Sequence, residues 1–223
     1  RIFELAEQRG IQIVLGTGSC NPPLWMIEQY PDLQRVSREG MKYPINTVWG
    51  WACVNHPGLR SEITRYLSLL LERYGDHPAL YCWQIDNQIG HGNAFTEAEH
   101  SHARRYGYWC YCDHCARLFR EYVQEKYGTI DALNRAWAWD PTHYRYYDWH
   151  QIQPPRSMPA EWGNNTAWLD YRIFAKQSLA DYIRLQHDQI KAHDPQQITM
   201  HNLYDTLRTD LGARNEPNHW DIG

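Results

Sequence analysis

No run of about eighteen apolar residues occurs in the chain, so no stretch of it reads as a membrane-crossing helix. Basic residues are not in excess. Lys and Arg number 22 against 26 Asp and Glu, the net charge is −4, and the sequence pI is 6.3. A nucleic-acid partner would require a basic face, so that class of partner is excluded, as is a membrane partner. There is no signal-peptide pattern, internal repeat or low-complexity tract. The chain opens Arg1-Ile2-Phe3-Glu4-Leu5 without Met, inside an apparent helix, so the true start is expected to lie upstream. Charged residues are only 22% against 43% hydrophobic, which excludes disorder and requires a packed core.

Aromatic residues are plentiful. Eleven Trp and 16 Tyr can supply sugar-stacking surfaces, but most are expected to serve as large core rings. The pattern predicts helices over residues 1–9, Trp25 to Tyr30, Leu59 to Tyr74, Ala116 to Tyr127, Asp131 to Trp137 (capped by Thr129) and Thr166 to His193. Short apolar runs predict buried strands at Ile11 to Gly16, Leu80 to Asn87, Ile198 to Leu203 and His219 to Ile222. Residues 32–58 and 138–165 read as loop.

Strands alternating with helices imply βα units on a parallel sheet. About four strands are countable, and a closed eight-stranded barrel takes roughly 250 residues. The fold expected is therefore α/β, a partial (β/α)8 TIM barrel with long βα loops. Residues 1–223 form a single partial domain, with the barrel's first and last strands outside it.

Six cysteines occur: Cys20, Cys53, Cys82, Cys110, Cys112 and Cys115. Cys110-Tyr111-Cys112-Asp113-His114-Cys115 is a C-x-C-x2-C run, whose three thiols can converge on one ion. Cys53 can supply a fourth ligand. Four thiolates around Zn²⁺ make a closed structural site, in keeping with a reducing, cytoplasmic setting. The alternatives are a disulfide or free buried thiols. His114 is a rival ligand but is expected to point away. Cys20 and Cys82 read as small buried hydrophobes.

Leu80-Tyr81-Cys82-Trp83-Gln84-Ile85-Asp86-Asn87-Gln88-Ile89-Gly90 is a strand running out into polar groups, and barrels place chemistry at the carboxyl ends of their strands. The run resembles the fourth-strand motif of glycoside hydrolase family 42, the zinc-containing β-galactosidases, which carry Asn-Glu where this chain has Asn87-Gln88. Cys53-Val54-Asn55-His56-Pro57-Gly58-Leu59-Arg60 is similar to that family's C-x3-P-x2-R pattern. Cys110, Cys112 and Cys115 match its downstream cysteines. Phe119 to Asn134 and Leu169-Asp170-Tyr171-Arg172-Ile173-Phe174 resemble it too, so the likeness covers nearly the whole chain, from about barrel strand three to strand six.

The resemblance implies retaining hydrolysis of terminal β-galactosides. Two carboxyl groups would flank the glycosidic bond, about 5–5.5 Å apart. It sets the general acid/base at Gln88 and the nucleophile on a seventh strand beyond Gly223. An amide has no transferable proton at neutral pH, so this form is expected to be impaired. Glu97 and Glu99 are possible stand-ins but read as solvated charges. Asn87 would donate to the sugar hydroxyl next to the reacting carbon. Asp86 would support from behind, Trp83 belongs to the core, and Asn202, at the end of the fifth-strand candidate, would face the pocket.

Trp49 stands where the family often has a galactose-contacting Arg. It can stack on a sugar but cannot make the charged hydrogen bonds, unless Arg38 or Arg60 approaches instead. His91, His100 and His102 lie in a long loop and read as solvent-facing. The resemblance also implies a structural Zn²⁺ at Cys53, Cys110, Cys112 and Cys115, and suggests a homotrimer. The alternative function is a catalytically silent carbohydrate-binding barrel.

Overall fold

A computed structural model describes residues 1–19, 21–37, 39–45, 50–87, 110–138, 140, 142–156 and 164–202. Gln88, Trp49, Cys20, Arg38, Glu97, Glu99 and the histidines of 91–109 lie outside the described residues, as does the fourth expected strand, His219 to Ile222.

The described elements run α1 (Ile2–Gln8), β1 (Ile13–Gly16), α2 (Trp25–Gln29), α3 (Pro57–Tyr74), β2 (Leu80–Gln84), α4 (Asp113–Tyr127), α5 (Ile130–Trp137), α6 (Thr166–His193) and β3 (Ile198–Met200), with a 3-10 turn at Trp149–Gln151. The three strands form one sheet in the order β1-β2-β3. Both pairings are parallel, with Val14, Cys82 and Ile198 in one row, then Leu15, Trp83 and Thr199, then Gly16, Gln84 and Met200. β2 carries one extra residue, Tyr81, opposite the step from Ile13 to Val14.

The helices cover one face of this sheet. Trp83 and Ile85 pack with Leu67 and Leu71 of α3 and with Ile190 of α6, and Leu15 packs against them. Higher on the same helices, Leu59 and Ile63 meet Leu179 and Tyr182. The opposite face leaves Val14, Ile198 and Met200 exposed. Apolar residues on both faces of short parallel strands are the pattern of sheets covered on both sides. Helices outside and an open apolar face inside fit part of an α/β barrel.

Helix boundaries differ from the pattern-based ones where caps decide. α3 begins at Pro57 rather than Leu59, because the His56 ring accepts the Gly58 and Leu59 N–H groups and Pro occupies the first turn. Gly58 is needed there for close approach: a Cβ on it would lie 2.5 Å from the Tyr30 ring. α4 begins at Asp113 rather than Ala116. Its first turn therefore includes Cys115, a residue the hydrophobic period alone left in the loop. Strand β2 ends at Gln84, short of Asn87, because Asp86 turns to a φ of 55°. A short polar side chain tolerates that left-handed conformation better than most.

A second core lies beneath the loop after β2. Phe119, Val123, Leu133, Trp137, Trp168, Tyr171 and Phe174 pack together with the four cysteines Cys53, Cys110, Cys112 and Cys115.

Candidate active site and metal centre

In a parallel sheet all carboxyl ends emerge on the same side, so the loops after β1, β2 and β3 share one end. Two groups of side chains are built from these loops. The first begins at the tips of the strands. The ladder continues briefly past β1 and β2, Thr17 N–H donating to the Gln84 carbonyl and Ile85 N–H to the Met200 carbonyl.

Asp86 is then fully buried. Its carboxylate accepts from Ser19 Oγ at 2.9 Å and from the Asn87 N–H at 2.6 Å. Its own N–H donates to Thr17 Oγ1 at 2.8 Å. The turned backbone at Asp86 is thus held from both sides, which offsets its conformational cost. Asp86 supports from behind, as expected, and so does not itself face a cleft.

Asn87 follows, half-buried. Its Oδ1 accepts from Asn202 Nδ2 at 2.7 Å and from Gln84 Nε2 at 3.3 Å. Asn87 and Asn202, expected in the same pocket from separate strands, are therefore in direct contact. Gln84 was not singled out by the sequence. The signal was there: an amide in an otherwise apolar run, at a position facing the open side of the sheet. Trp83 is wholly buried, as expected of a core ring. Arg60 is committed elsewhere, its Nε donating to the Val54 carbonyl at 2.8 Å.

The second group is the sulfur cluster. Cys53 belongs to the loop between β1 and α3; Cys110, Cys112 and Cys115 belong to the loop after β2 and the first turn of α4. All four are buried, and their sulfurs lie within 4.8 Å of one another. Cys53 Sγ is 3.5 Å from both Cys115 Sγ and Cys112 Sγ. None of the described cysteines is in a disulfide. Ligands about 2.3 Å from a tetrahedral ion stand about 3.8 Å apart, so the spacing suits one metal ion.

The surroundings also suit thiolates. The Val36 N–H points at Cys110 Sγ from 3.5 Å, and Asn55 Nδ2 at Cys115 Sγ from 3.4 Å. Burial pushes the Cys110 thiol up, but hydrogen bonds from Cys112, Cys115 and Cys53 outweigh it and leave Cys110 well below its ordinary range. Cys53 is pushed well above by its hydrogen bonds to Cys110, Cys112 and Cys115. Four crowded sulfurs cannot all ionise without a cation among them. The cluster can therefore hold a metal ion, with no side left open for water.

A third cluster was missed by the sequence reading. His56 Nε2 and His114 Nε2 share the Asp32 carboxylate, at 3.0 and 2.8 Å, and the two rings meet edge to face at 4.6 Å. His114 thus points away from the sulfurs, as expected. The geometry of a metal triad is present, but the chemistry is not. His56 Nδ1 already accepts from two backbone N–H groups, so the neutral ring carries its proton on Nε2 and has no lone pair for an ion there.

A shallow cavity of about 440 Å³ lies apart from these groups, lined by Trp137, His143, Tyr144, Arg145 and Tyr146. Its charged groups are already paired, His143 with Asp140 and Arg145 with Asp131.

Comparison with known proteins places the chain in a family. The model of glycoside hydrolase family 42, described as beta-galactosidase, matches residues 1–223. Beta-galactosidase BgaA of Thermus sp. is 34% identical over 205 residues, which cover 92% of this chain and 29% of that protein. The crystal structure of a beta-galactosidase from Bacillus circulans sp. alkalophilus superposes with a TM-score of 0.74 at 32% identity, over 91% of this chain and 28% of that one. A polyextremophilic beta-galactosidase from the haloarchaeon Halorubrum lacusprofundi gives 0.75 at 32% identity, over 90% and 28%. The chain thus spans less than a third of the length of each of these relatives.

Proposed function

Because the chain belongs to glycoside hydrolase family 42, the β-galactosidases, we propose that it forms the middle of a barrel that binds and cleaves terminal β-galactosides. The observation that carries this reading is the pairing of Asn87 with Asn202 across the ends of neighbouring parallel strands. It sits on the same side of the sheet as the loops joined by the four cysteines.

In this reading the reaction is a double displacement with retention. A carboxylate on a strand outside these residues attacks the anomeric carbon; position 88 is where the family's acid would protonate the leaving oxygen, and with Gln88 there that oxygen must take its proton from water. Asn87 and Asn202 line the sugar pocket, and Trp49 offers a ring for stacking. Gln88 keeps the size of Glu and can still hydrogen-bond the glycosidic oxygen, but it has no proton to give. Loss of a general acid costs about 10²–10⁴-fold in rate, so binding is retained and turnover is slow.

Cys53, Cys110, Cys112 and Cys115 would hold Zn²⁺, which would supply a structural link between their loops rather than Lewis-acid chemistry. The crosslink fixes the loop after β1 to the loop after β2, and so fixes two walls of the pocket. A reducing, cytoplasmic compartment and a homotrimeric assembly go with this reading.

The test is Gln88→Glu in the full-length protein, assayed on two galactosides. With an alkyl leaving group, which needs protonation, kcat rises by about 10²–10⁴-fold. With a nitrophenyl leaving group the gain in kcat/KM is smaller, because that group departs with little help, while kcat still rises because hydrolysis of the galactosyl-enzyme regains its general base. No gain on either substrate, with sugar binding intact, would leave a carbohydrate-binding barrel instead.

A further inference from the structure

The amides at the strand ends can be oriented by logic alone. Gln84 Nε2 lies 3.2 Å from the main-chain carbonyl of Asp86. A carbonyl oxygen can only accept, so the nitrogen end of Gln84 must face this way. The same nitrogen lies 3.2 Å from one atom of the Asn202 amide and 3.3 Å from one atom of the Asn87 amide. Facing a donor, both of those atoms must be oxygens. Asn202 then turns its nitrogen to Asn87 Oδ1 at 2.7 Å, and donor and acceptor agree around the whole circuit. Turning Asn87 over would set its nitrogen against two other nitrogens. Its oxygen is occupied twice, and its Nδ2 has no partner among the described residues.

We propose that Gln84 is a positioning residue that locks Asn87 as a hydrogen-bond donor, so that position 87 selects a ligand oxygen able to accept. This rests on the galactoside reading of the pocket. Asn202, in turn, braces Asn87 from the neighbouring strand, its Nδ2 donating to Asn87 Oδ1. The consequence is a polarity rule. One sugar hydroxyl is held through its lone pair, and fluorine, which accepts weakly and cannot donate, substitutes for it better than hydrogen does.

Gln84→Glu keeps the shape of the side chain but presents oxygens to the Asp86 carbonyl and to both asparagines. Asn87 must then turn its nitrogen inward and show oxygen to the ligand. A hydroxyl can adapt by donating; fluorine cannot. Gln84→Met removes the lock without adding charge, leaving Asn87 without a fixed orientation.

The experiment measures affinities of the full-length protein for galactose and for galactose analogues, each with one hydroxyl replaced by hydrogen or by fluorine. Asn87→Ala identifies the ring position concerned, as the one where its effect and the substitution are not additive. At that position the wild type prefers fluoro to deoxy sugar, and loses about five- to tenfold from galactose to the deoxy analogue, the worth of one neutral hydrogen bond. Gln84→Glu reverses the fluoro-over-deoxy order, and Gln84→Met flattens it, so either variant alone decides should the other not fold. If the variants weaken all analogues equally and keep the wild-type order, Gln84 is only structural and the proposal is overturned. If the wild type binds no galactose analogue at all, the galactoside reading fails first.

Discussion

Asp170 is the side chain on which three helices meet. It is buried on α6 and accepts from Lys126 Nζ at 2.5 Å, Tyr127 Oη at 2.6 Å and Trp137 Nε1 at 2.8 Å. Lys126 and Tyr127 close α4, and Trp137 closes α5. Burial first, then the Asp170 carboxylate, pushes the Tyr127 phenol up. Removing the carboxylate leaves the Trp137 N–H buried without its acceptor. Asp170→Ala is predicted to cost about 2 kcal/mol in urea unfolding, within the range for stranding a buried polar group, because Lys126 is part-exposed and stays hydrated; a loss below about 1 kcal/mol would mean the network is not cooperative. At this scale, residues whose partners lie close in sequence were legible. Three of the four sulfurs fall within six positions, and their convergence could be read from spacing. Asp32 could not be read, because its partners are 24 and 82 positions away. Asp170 is one of several charges along α6, and nothing in the local pattern set it apart as the buried one.

Loops and helix ends carry the next level of order. Asp32, in the loop after α2, ties the cap of α3 to the first turn of α4 through His56 and His114. Hydrogen bonds from these two rings lower the Asp32 pKa from 3.8 to about 2. A carboxyl whose folded value is depressed adds stability above its unfolded value, and that stability is lost as pH falls toward the folded value. The carboxylate is two-thirds exposed, so the contribution is small and salt-sensitive. Asp32→Asn is predicted to be less stable than wild type at neutral pH. The gap should begin to close below about pH 4 and be lost only as pH falls through and below about 2, as followed by unfolding at each pH; a gap independent of pH would show that the charge is not involved. The elements themselves were legible where their hydrophobic period was long, as in α6, whose limits Thr166 and His193 follow the pattern. They were less so where a cap or a turn decides: at His56, at Cys112 before α4, and at Asp86, which ends β2 early.

For the whole molecule, the parallel sheet, its helix-covered face and the convergence of sulfurs from two loops were foreseeable from βα alternation and cysteine spacing. The circuit of Gln84, Asn87 and Asn202 was not, because it depends on which residues of separate strands share a row. Metal removal tests the crosslink at this scale. Chelation of the full-length protein is predicted to lower Tm, with sugar affinity lost only as the loops loosen. Metal affinity should fall as pH falls, because protons compete for the thiolates. Both are read by titration calorimetry and thermal unfolding. A chelated protein with unchanged Tm would remove the structural role.

The central claim is that position 88 of a retaining galactoside site carries an amide in place of the acid/base. Azide needs no general base to attack a galactosyl-enzyme, so it bypasses the missing group. With a nitrophenyl β-galactoside and added azide, the full-length protein is predicted to turn over faster and to release β-galactosyl azide. Release of the α-anomer, or no acceleration by azide, would contradict the account.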